Sequence, residues 1–171
     1  IDDATGMIAG AWFDKQETLS GYYHVFRQIL TGYGIPYMFY TDRRTVFEYK
    51  QKNSPSLEND TFTQFGYACK QLGVDLKTTS IPQEKSIAIR CMGAYIRISA
   101  GTKAERLFGT LQSRLPAELR LAGISTIEQA NEFLASYLKE FNARFALDMD
   151  CIKSVFEKQP DEEKIDQFLA V

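Results

Sequence analysis

Histidine, cysteine and tryptophan are scarce in this sequence of 171 residues, which has one histidine, three cysteines and one tryptophan. The cysteines Cys69, Cys91 and Cys151 show neither paired spacing nor a neighbouring histidine cluster. Disulfide frameworks and structural zinc sites both need such spacing. The sequence therefore predicts free thiols in a reducing compartment and no structural zinc.

Long hydrophobic runs and an excess of positive charge are also missing. Apolar stretches such as residues 35–40 are far shorter than the roughly 20 residues that a membrane span needs, and no charged-then-apolar leader opens the chain. We therefore expect a cytoplasmic protein without a membrane partner. The formal net charge is −2, and affinity for nucleic acid comes largely from clustered Lys and Arg, so any DNA-binding surface must be local.

What the chain does have is enough apolar and aromatic content for a core, at 44% hydrophobic and 13% aromatic residues. It begins with Ile1 and runs directly into a turn signal, Asp2-Asp3-Ala4-Thr5-Gly6, before an apolar strand at residues 7–13. Because domains seldom start at a hairpin tip, this start predicts a fragment. Asp2 and Asp3 are interpreted as turn residues whose side chains cap local amides.

The first half of the chain has the pattern of an α/β unit. After strand 7–13, apolar residues recur at helical spacing over residues 18–33, and Gly34 provides a stop. Residues 35–40 predict a short buried strand lying parallel to an earlier one after the helical crossover. Asp42 then lies at the carboxyl end of this strand, where active residues of open α/β sheets gather.

The next segment predicts a loop, a helix and a strand. Residues 48–59 carry Pro and alternating charge, which is typical of a loop. Asp60 is the expected N-cap of a second helix that ends at Gly73. Residues 76–81, rich in Thr and followed by Pro, predict another short strand.

Two further helices are predicted. The first starts near Ala104, has Glu105 beside its apolar stripe and ends before Pro116. The second follows a capping box at residues 125–128 and keeps a periodic apolar face as far as Phe145.

Several stretches, taken in order, resemble the DDE transposases, specifically bacterial insertion-sequence transposases of the retroviral-integrase type. The resemblance spans nearly the whole chain and is carried by residues 1–6, the 18–33 helix, Tyr40-Thr41-Asp42-Arg43, and residues 67–73, 80–83 and 105–116. It implies an α/β, ribonuclease-H-like fold with a mixed sheet flanked by helices. It also implies metal-dependent DNA strand cleavage and strand transfer, with Mg²⁺ or Mn²⁺ as cofactor and DNA (element ends and target) as partner in a homo-oligomer.

The resemblance assigns two catalytic, metal-ligating residues. Asp42 matches the family's second aspartate, and Glu105 matches the glutamate that closes its triad. The first aspartate, which lies on the family's first strand, has no match here. The resemblance thus implies that the first strand is missing, that the core is truncated at its N-terminus, and that this fragment is inactive.

The resemblance also predicts the domain organisation. Residues 1–147 form a partial catalytic core, with an unusual insertion at residues 84–102, and the charged residues 148–171 form a C-terminal linker or tail. In the insertion, isoleucines alternate about Met92-Gly93, so residues 87–98 are expected to be a protruding hairpin or poorly ordered, or else a decayed copy of the family element.

Plainer interpretations exist for each singled-out residue. Asp42 beside Arg43 and Arg44 suits a surface ion pair or loop cap, and Glu105 suits a solvated helix residue. His24 is expected to be a partly buried structural histidine, and Trp12 a core residue. A possible DNA-facing stripe, equally explained as a solvated helix face, consists of Lys103, Arg106, Arg114 and Arg120.

Two other functions stay open at this point. A decayed or domesticated remnant would act as a non-enzymatic DNA- or protein-interaction module, and an exposed aromatic patch without a basic face would favour it. An unrelated metal-dependent phosphohydrolase is the weaker alternative, because no third acidic or histidine ligand lies in a motif-like setting.

Overall fold

A computed structural model describes residues 1–2, 5–42, 47, 63–79, 88–90, 101–147 and 156–169. In these ranges the chain is an α/β structure. Its helices are α1 (Leu19–Gly32), α2 (Gln64–Gln71), α3 (Gly101–Leu121), α4 (Ile127–Phe145) and α5 (Glu162–Phe168). Its strands are β1 (Met38–Asp42), β2 (Asp75–Thr79) and β3 (Ala88–Arg90). The described helices include none that is both long and apolar enough to cross a membrane.

The strands form one mixed sheet in the order β2-β1-β3. β1 lies in the centre, parallel to β2, with Met38 opposite Asp75 and Asp42 opposite Thr79. The parallel partner of β1 therefore follows it in the chain, across α2, whereas the sequence predicted an earlier partner. That prediction was wrong because the earlier apolar segment is not a strand.

Residues 7–13 are extended but form no regular strand. Amide side chains from α4 take the place of a neighbouring strand. Asn142 accepts from the Ile8 N–H at 2.9 Å and donates to the Ile8 carbonyl at 3.0 Å. Asn131 does the same for Phe13, at 2.8 and 3.0 Å. Buried peptide groups need partners, and these side chains supply them without a β-ladder.

The turn before this segment is held by Asp2. Its carboxylate accepts hydrogen bonds from the Thr5 N–H at 3.0 Å and from the Thr5 hydroxyl, and Gly6 takes the left-handed conformation at φ +74°. Asp2 is buried at 2% exposure. The structural interpretation of Asp2 is confirmed, while Asp3 lies outside the described residues.

The main hydrophobic core lies between α1, α2, α5 and the sheet. Phe26 and Leu30 of α1 are 1% and 0% exposed. The Phe65 ring on α2 packs against Phe26 at 5.7 Å and Phe39 of β1 at 6.1 Å between centroids. Aromatic residues bury the largest apolar areas, so these rings tie the central strand to both helices.

A second cluster joins α3 and α4. Ile8 and the α4 residues Leu134, Leu138 and Phe141 are buried in it, and partly buried leucines of α3 pack on them at Leu107, Leu111 and Leu115. The amphipathic faces predicted for both helices are confirmed.

Pro116 lies inside α3, which continues to Leu121, so the prediction that the helix ends before Pro116 was wrong. Pro116 is exposed. At an exposed position, water can hydrate the carbonyl whose helical donor the proline lacks, which limits the penalty of roughly 3 kcal/mol.

Threonines cap three of the helices. The 18–33 helix is confirmed as α1, and its N-cap Thr18 accepts from the Gly21 N–H at 3.0 Å. α2 is capped by Thr63 rather than by Asp60. For α4 the cap is Thr126, one residue later than the start of the predicted capping box, because its hydroxyl accepts from the Gln129 N–H.

Residues 156–169, within the predicted tail, pack onto the main core. Ile35 and Glu157 form an antiparallel bridge, and Ile165 of α5 is 0% exposed. Arg27 of α1 donates to Asp166 at 2.5 Å. The apolar residues Ile165, Phe168 and Leu169 have helical spacing, and the surrounding charge hid that pattern in the sequence. That residues 148–171 form a linker or tail stays a prediction.

Part of the predicted insertion also belongs to the sheet. β3 pairs antiparallel with β1, with Ile89 opposite Phe39 and Ala88 opposite Tyr40. The sequence showed no partner for this alternating segment, because the partner strand lies far away in the chain. The expected turn at Met92-Gly93 lies outside the described residues.

Candidate functional site

Asp42 is the last residue of β1, the central strand. A strand is therefore confirmed here, but it covers Met38–Asp42 rather than residues 35–40. Asp42 is its last residue instead of following it. Because β1 and β2 are parallel, their carboxyl ends share one edge of the sheet, and Asp42 lies there opposite Thr79. Such an edge is where α/β sheets carry ligands.

Glu105 lies near the start of α3, four residues after the helix begins at Gly101. α3 follows β3 in the chain. Whether Glu105 and Asp42 lie close together stays a prediction. By donor type, two carboxylates suit a hard cation such as Mg²⁺ or Mn²⁺. The described residues contain no group of three His, Cys, Asp or Glu placed to hold a metal ion.

Thr41 is a buried polar residue beside Asp42. It is 1% exposed, and its hydroxyl has no hydrogen-bond partner among the described residues. Burial places the Thr41 hydroxyl in the core of the domain.

His24 and Trp12 differ from their predicted environments. His24 is exposed, and its ring stacks on Trp12 with centroids 4.1 Å apart and planes 15° apart. Trp12 is 37% exposed. On α1, Tyr23 and Phe26 take the core-facing positions, which turns His24 outward. Neither residue is a core residue.

The predicted basic stripe is described only in part. Arg114 and Arg120 are exposed on α3, and the Arg114 guanidinium lies over the Phe145 ring at 5.3 Å from its centroid. The side chains of Lys103 and Arg106 lie outside the described residues. Arg114 thus has a specific aromatic partner on α4, which the sequence did not indicate.

Cys69 is a free, buried thiol on α2. Burial raises its pKa from 9.0 to about 12. A thiol that stays protonated is neither a nucleophile nor a metal ligand at neutral pH. Cys91 and Cys151 lie outside the described residues.

The amide pair Asn131 and Asn142 was missed by the sequence interpretation. Both lie on the side of α4 that faces residues 7–13. In the sequence they are polar residues beside the apolar face of a predicted helix. A polar side chain at such a position indicates a hydrogen bond to the backbone of a neighbouring segment.

Together, these observations define an α/β domain with an acidic residue at the carboxyl end of its central strand. Over 170 residues the chain is 50% identical to the transposase for insertion sequence IS1202 of Streptococcus pneumoniae, covering 99% of this chain and 33% of that protein. It is also 30% identical over 147 residues to y4bF of Sinorhizobium fredii (strain NBRC 101917 / NGR234), which carries a transposase name, covering 86% of this chain and 28% of that protein. No protein-family model and no solved structure matches the chain.

The chain therefore spans about a third of the length of the curated relatives it matches. Nearly all of it is homologous to a segment of proteins named as transposases.

Proposed function

We propose that this chain is part of the catalytic core of a DDE transposase of the retroviral-integrase type, with a ribonuclease-H-like fold. The observation that carries the proposal is the 50% identity to a transposase along 99% of the chain. The position of Asp42 at the carboxyl end of the central strand supports it. The full-length protein would cut and join DNA in the cytoplasm as a homo-oligomer.

In this proposal, Asp42 and Glu105 hold Mg²⁺ or Mn²⁺ beside the scissile phosphodiester. Bound divalent metal supplies activation of the attacking oxygen and stabilisation of the leaving oxygen. The two residues themselves contribute ligand oxygens and negative charge. β1 pairs with β2 as far as Asp42, which lies opposite Thr79, and rigid placement is what a metal-assisted displacement requires.

The resemblance matches two of the three DDE carboxylates to this sequence. Two ligands hold a divalent ion weakly, because affinity depends on the number and rigidity of the oxygen donors. We accordingly propose that this chain alone cleaves little DNA, and that the third carboxylate comes from elsewhere in the full-length transposase.

A chimera tests this proposal without depending on the isolated chain. The matching segment of the IS1202 transposase is replaced by this chain, and Mn²⁺-dependent nicking of a labelled duplex carrying the element end is measured. We expect Asp42→Asn and Glu105→Gln each to reduce nicking at least about 100-fold, since each removes a negatively charged ligand oxygen from the metal.

Asp75→Asn is the matched control. Asp75 is exposed and starts β2 opposite Met38, at the other end of the parallel pair. Its substitution should leave nicking unchanged. Full activity of the Asp42→Asn chimera would refute the catalytic assignment.

One observation favours the alternative of a non-enzymatic interaction module. Phe145 and Leu147 are 51% and 60% exposed near the end of α4, as a binding surface requires. Arg114 lies against the same ring, so this aromatic surface is accompanied by positive charge. The chimera separates the two functions, because a module without catalysis tolerates Asp42→Asn.

A further inference from the structure

α3 and α4 place an exposed arginine over an aromatic ring. The guanidinium carbon of Arg114 lies 5.3 Å from the centre of the Phe145 ring. Phe145 packs in turn on the buried Phe141, with ring centroids 4.7 Å apart. The ring is thereby fixed from below and 51% exposed. The cation–π attraction favours this position of the guanidinium, whose N–H groups can still donate hydrogen bonds.

A second arginine lies in the same region. Burial raises the pKa of the Tyr137 hydroxyl and the charge of Glu118 adds to this, whereas Arg114 and Arg144 both act to lower it. Arg144 directly precedes Phe145 near the end of α4 and is exposed. The two arginines and the glutamate leave an excess of positive charge there.

Neither arginine is neutralised by a close carboxylate. Among the residues that the structure describes, the ion pair within 4.0 Å is Arg27 with Asp166, on α1 and α5. Arg114 and Arg144 are both exposed. Arg114 and Arg144 have no carboxylate within 4.0 Å among the described residues, and guanidinium N–H groups match the paired oxygens of phosphate groups.

We propose that Arg114, Arg144 and the exposed Phe145 ring form a contact site for the phosphodiester backbone of DNA, separate from Asp42. The proposal rests on the proposed function, which makes DNA the polymer that this domain meets. It also resolves how a chain of net charge −2 binds DNA, because a small cationic site suffices when it is placed on one face.

A second copy of the chain fits this face less well. In a two-fold interface the same patch meets itself, so the arginines of both copies would approach one another. Like charges in such a contact disfavour association. The negative phosphates of DNA would instead attract these arginines.

The experiment measures binding of the chain to a fluorescein-labelled 30-base-pair duplex by anisotropy, in EDTA and over a series of salt concentrations. Arg114→Gln and Arg144→Gln should each weaken binding about 3- to 10-fold. Each should also reduce the slope of log K against log salt by about 1, the value for one lost phosphate contact. Phe145→Ala keeps both charges and should weaken binding less than Arg114→Gln does.

Lys158→Gln is the control, since Lys158 is exposed and lies in the segment 156–169, which packs on the main core rather than on the α3–α4 cluster. It should change affinity less than about twofold with an unchanged salt slope. Circular dichroism of every variant checks that it is folded.

Equal loss for Lys158→Gln and Arg114→Gln would overturn the proposal, since it would show a diffuse charge effect. So would unchanged binding by Arg114→Gln, or no binding by the parent chain at low salt. A change of oligomeric state in Phe145→Ala at unchanged DNA affinity would assign the face to a second copy instead. The assay contains no metal, so its outcome is independent of Asp42 and Glu105. If the arginine variants bind DNA as the parent chain does while the Asp42→Asn chimera is inactive, this contact site is refuted and the proposed function is not.

Discussion

Truncation of Ile165 to alanine tests the docking of α5, the helix that the charge pattern of the sequence concealed. Ile165 is 0% exposed and belongs to the main core with Phe26 and Leu30. Ile165→Ala removes three buried carbons at about 0.8 kcal/mol each, and the remaining cavity adds to this loss. We expect the free energy of unfolding to fall by about 2–5 kcal/mol.

The assay is urea unfolding of the chain followed by circular dichroism. With a slope near 2 kcal/mol per molar, the midpoint should fall by roughly 1–2.5 M at unchanged slope. Leu121→Ala is the control, because Leu121 also lies on a helix and is 84% exposed. It should change stability by less than about 0.5 kcal/mol. If both variants unfold at the same urea concentration, α5 is not docked and the burial argument fails.

Two further predictions concern a glycine pair and a thiol. Gly34→Ala should destabilise by more than about 2 kcal/mol, because Gly34 has φ +104° and an added Cβ would overlap the Glu157 carbonyl oxygen. Gly109→Ala, at an exposed helical site with nothing within 4 Å, should instead stabilise by about 0.5–1 kcal/mol, and thermal unfolding distinguishes the two signs. Burial raises the pKa of Cys69 from 9.0 to about 12, so its contribution to stability is complete below pH 9 and is lost as the pH rises towards 12, at up to about 1.4 kcal/mol per pH unit. Urea midpoints at pH 8, 9.5 and 10.5 should fall more steeply for the parent than for Cys69→Ala, and parallel curves would contradict this ionisation.

The sequence determined the elements whose apolar pattern is local. The α1 and α4 helices, β2, and the position of Asp42 at the end of a strand followed from the spacing of apolar residues and from turn residues. These features depend on neighbours a few positions away, and such neighbours are visible in a linear pattern. The interpretation of Asp2 as a turn residue succeeded for the same reason.

The tertiary structure decided how these elements are partnered. The sequence predicted a strand at residues 7–13. In the structure, side-chain amides of Asn131 and Asn142, distant in the chain, make the hydrogen bonds that a neighbouring strand would make. Ile89 found its partner in Phe39 across the sheet. A pattern in one segment cannot specify which distant groups satisfy its backbone, because that depends on what the whole fold brings near it.

The same division applies to the candidate sites. The metal-ligating roles of Asp42 and Glu105 are proposed from a resemblance in sequence, and their mutual distance is a property of the fold alone. The pairing of Arg114 with Phe145 joins two helices, so it had no signal in either. Ile165 was obscured because its neighbours in sequence are charged, whereas its neighbours in space are the apolar side chains of α1. Sequence alone determines which local conformations are favourable, and burial against distant groups determines which of them form. The reason is that the hydrophobic effect depends on the apolar area removed from water, however far apart in the chain the contacting residues are.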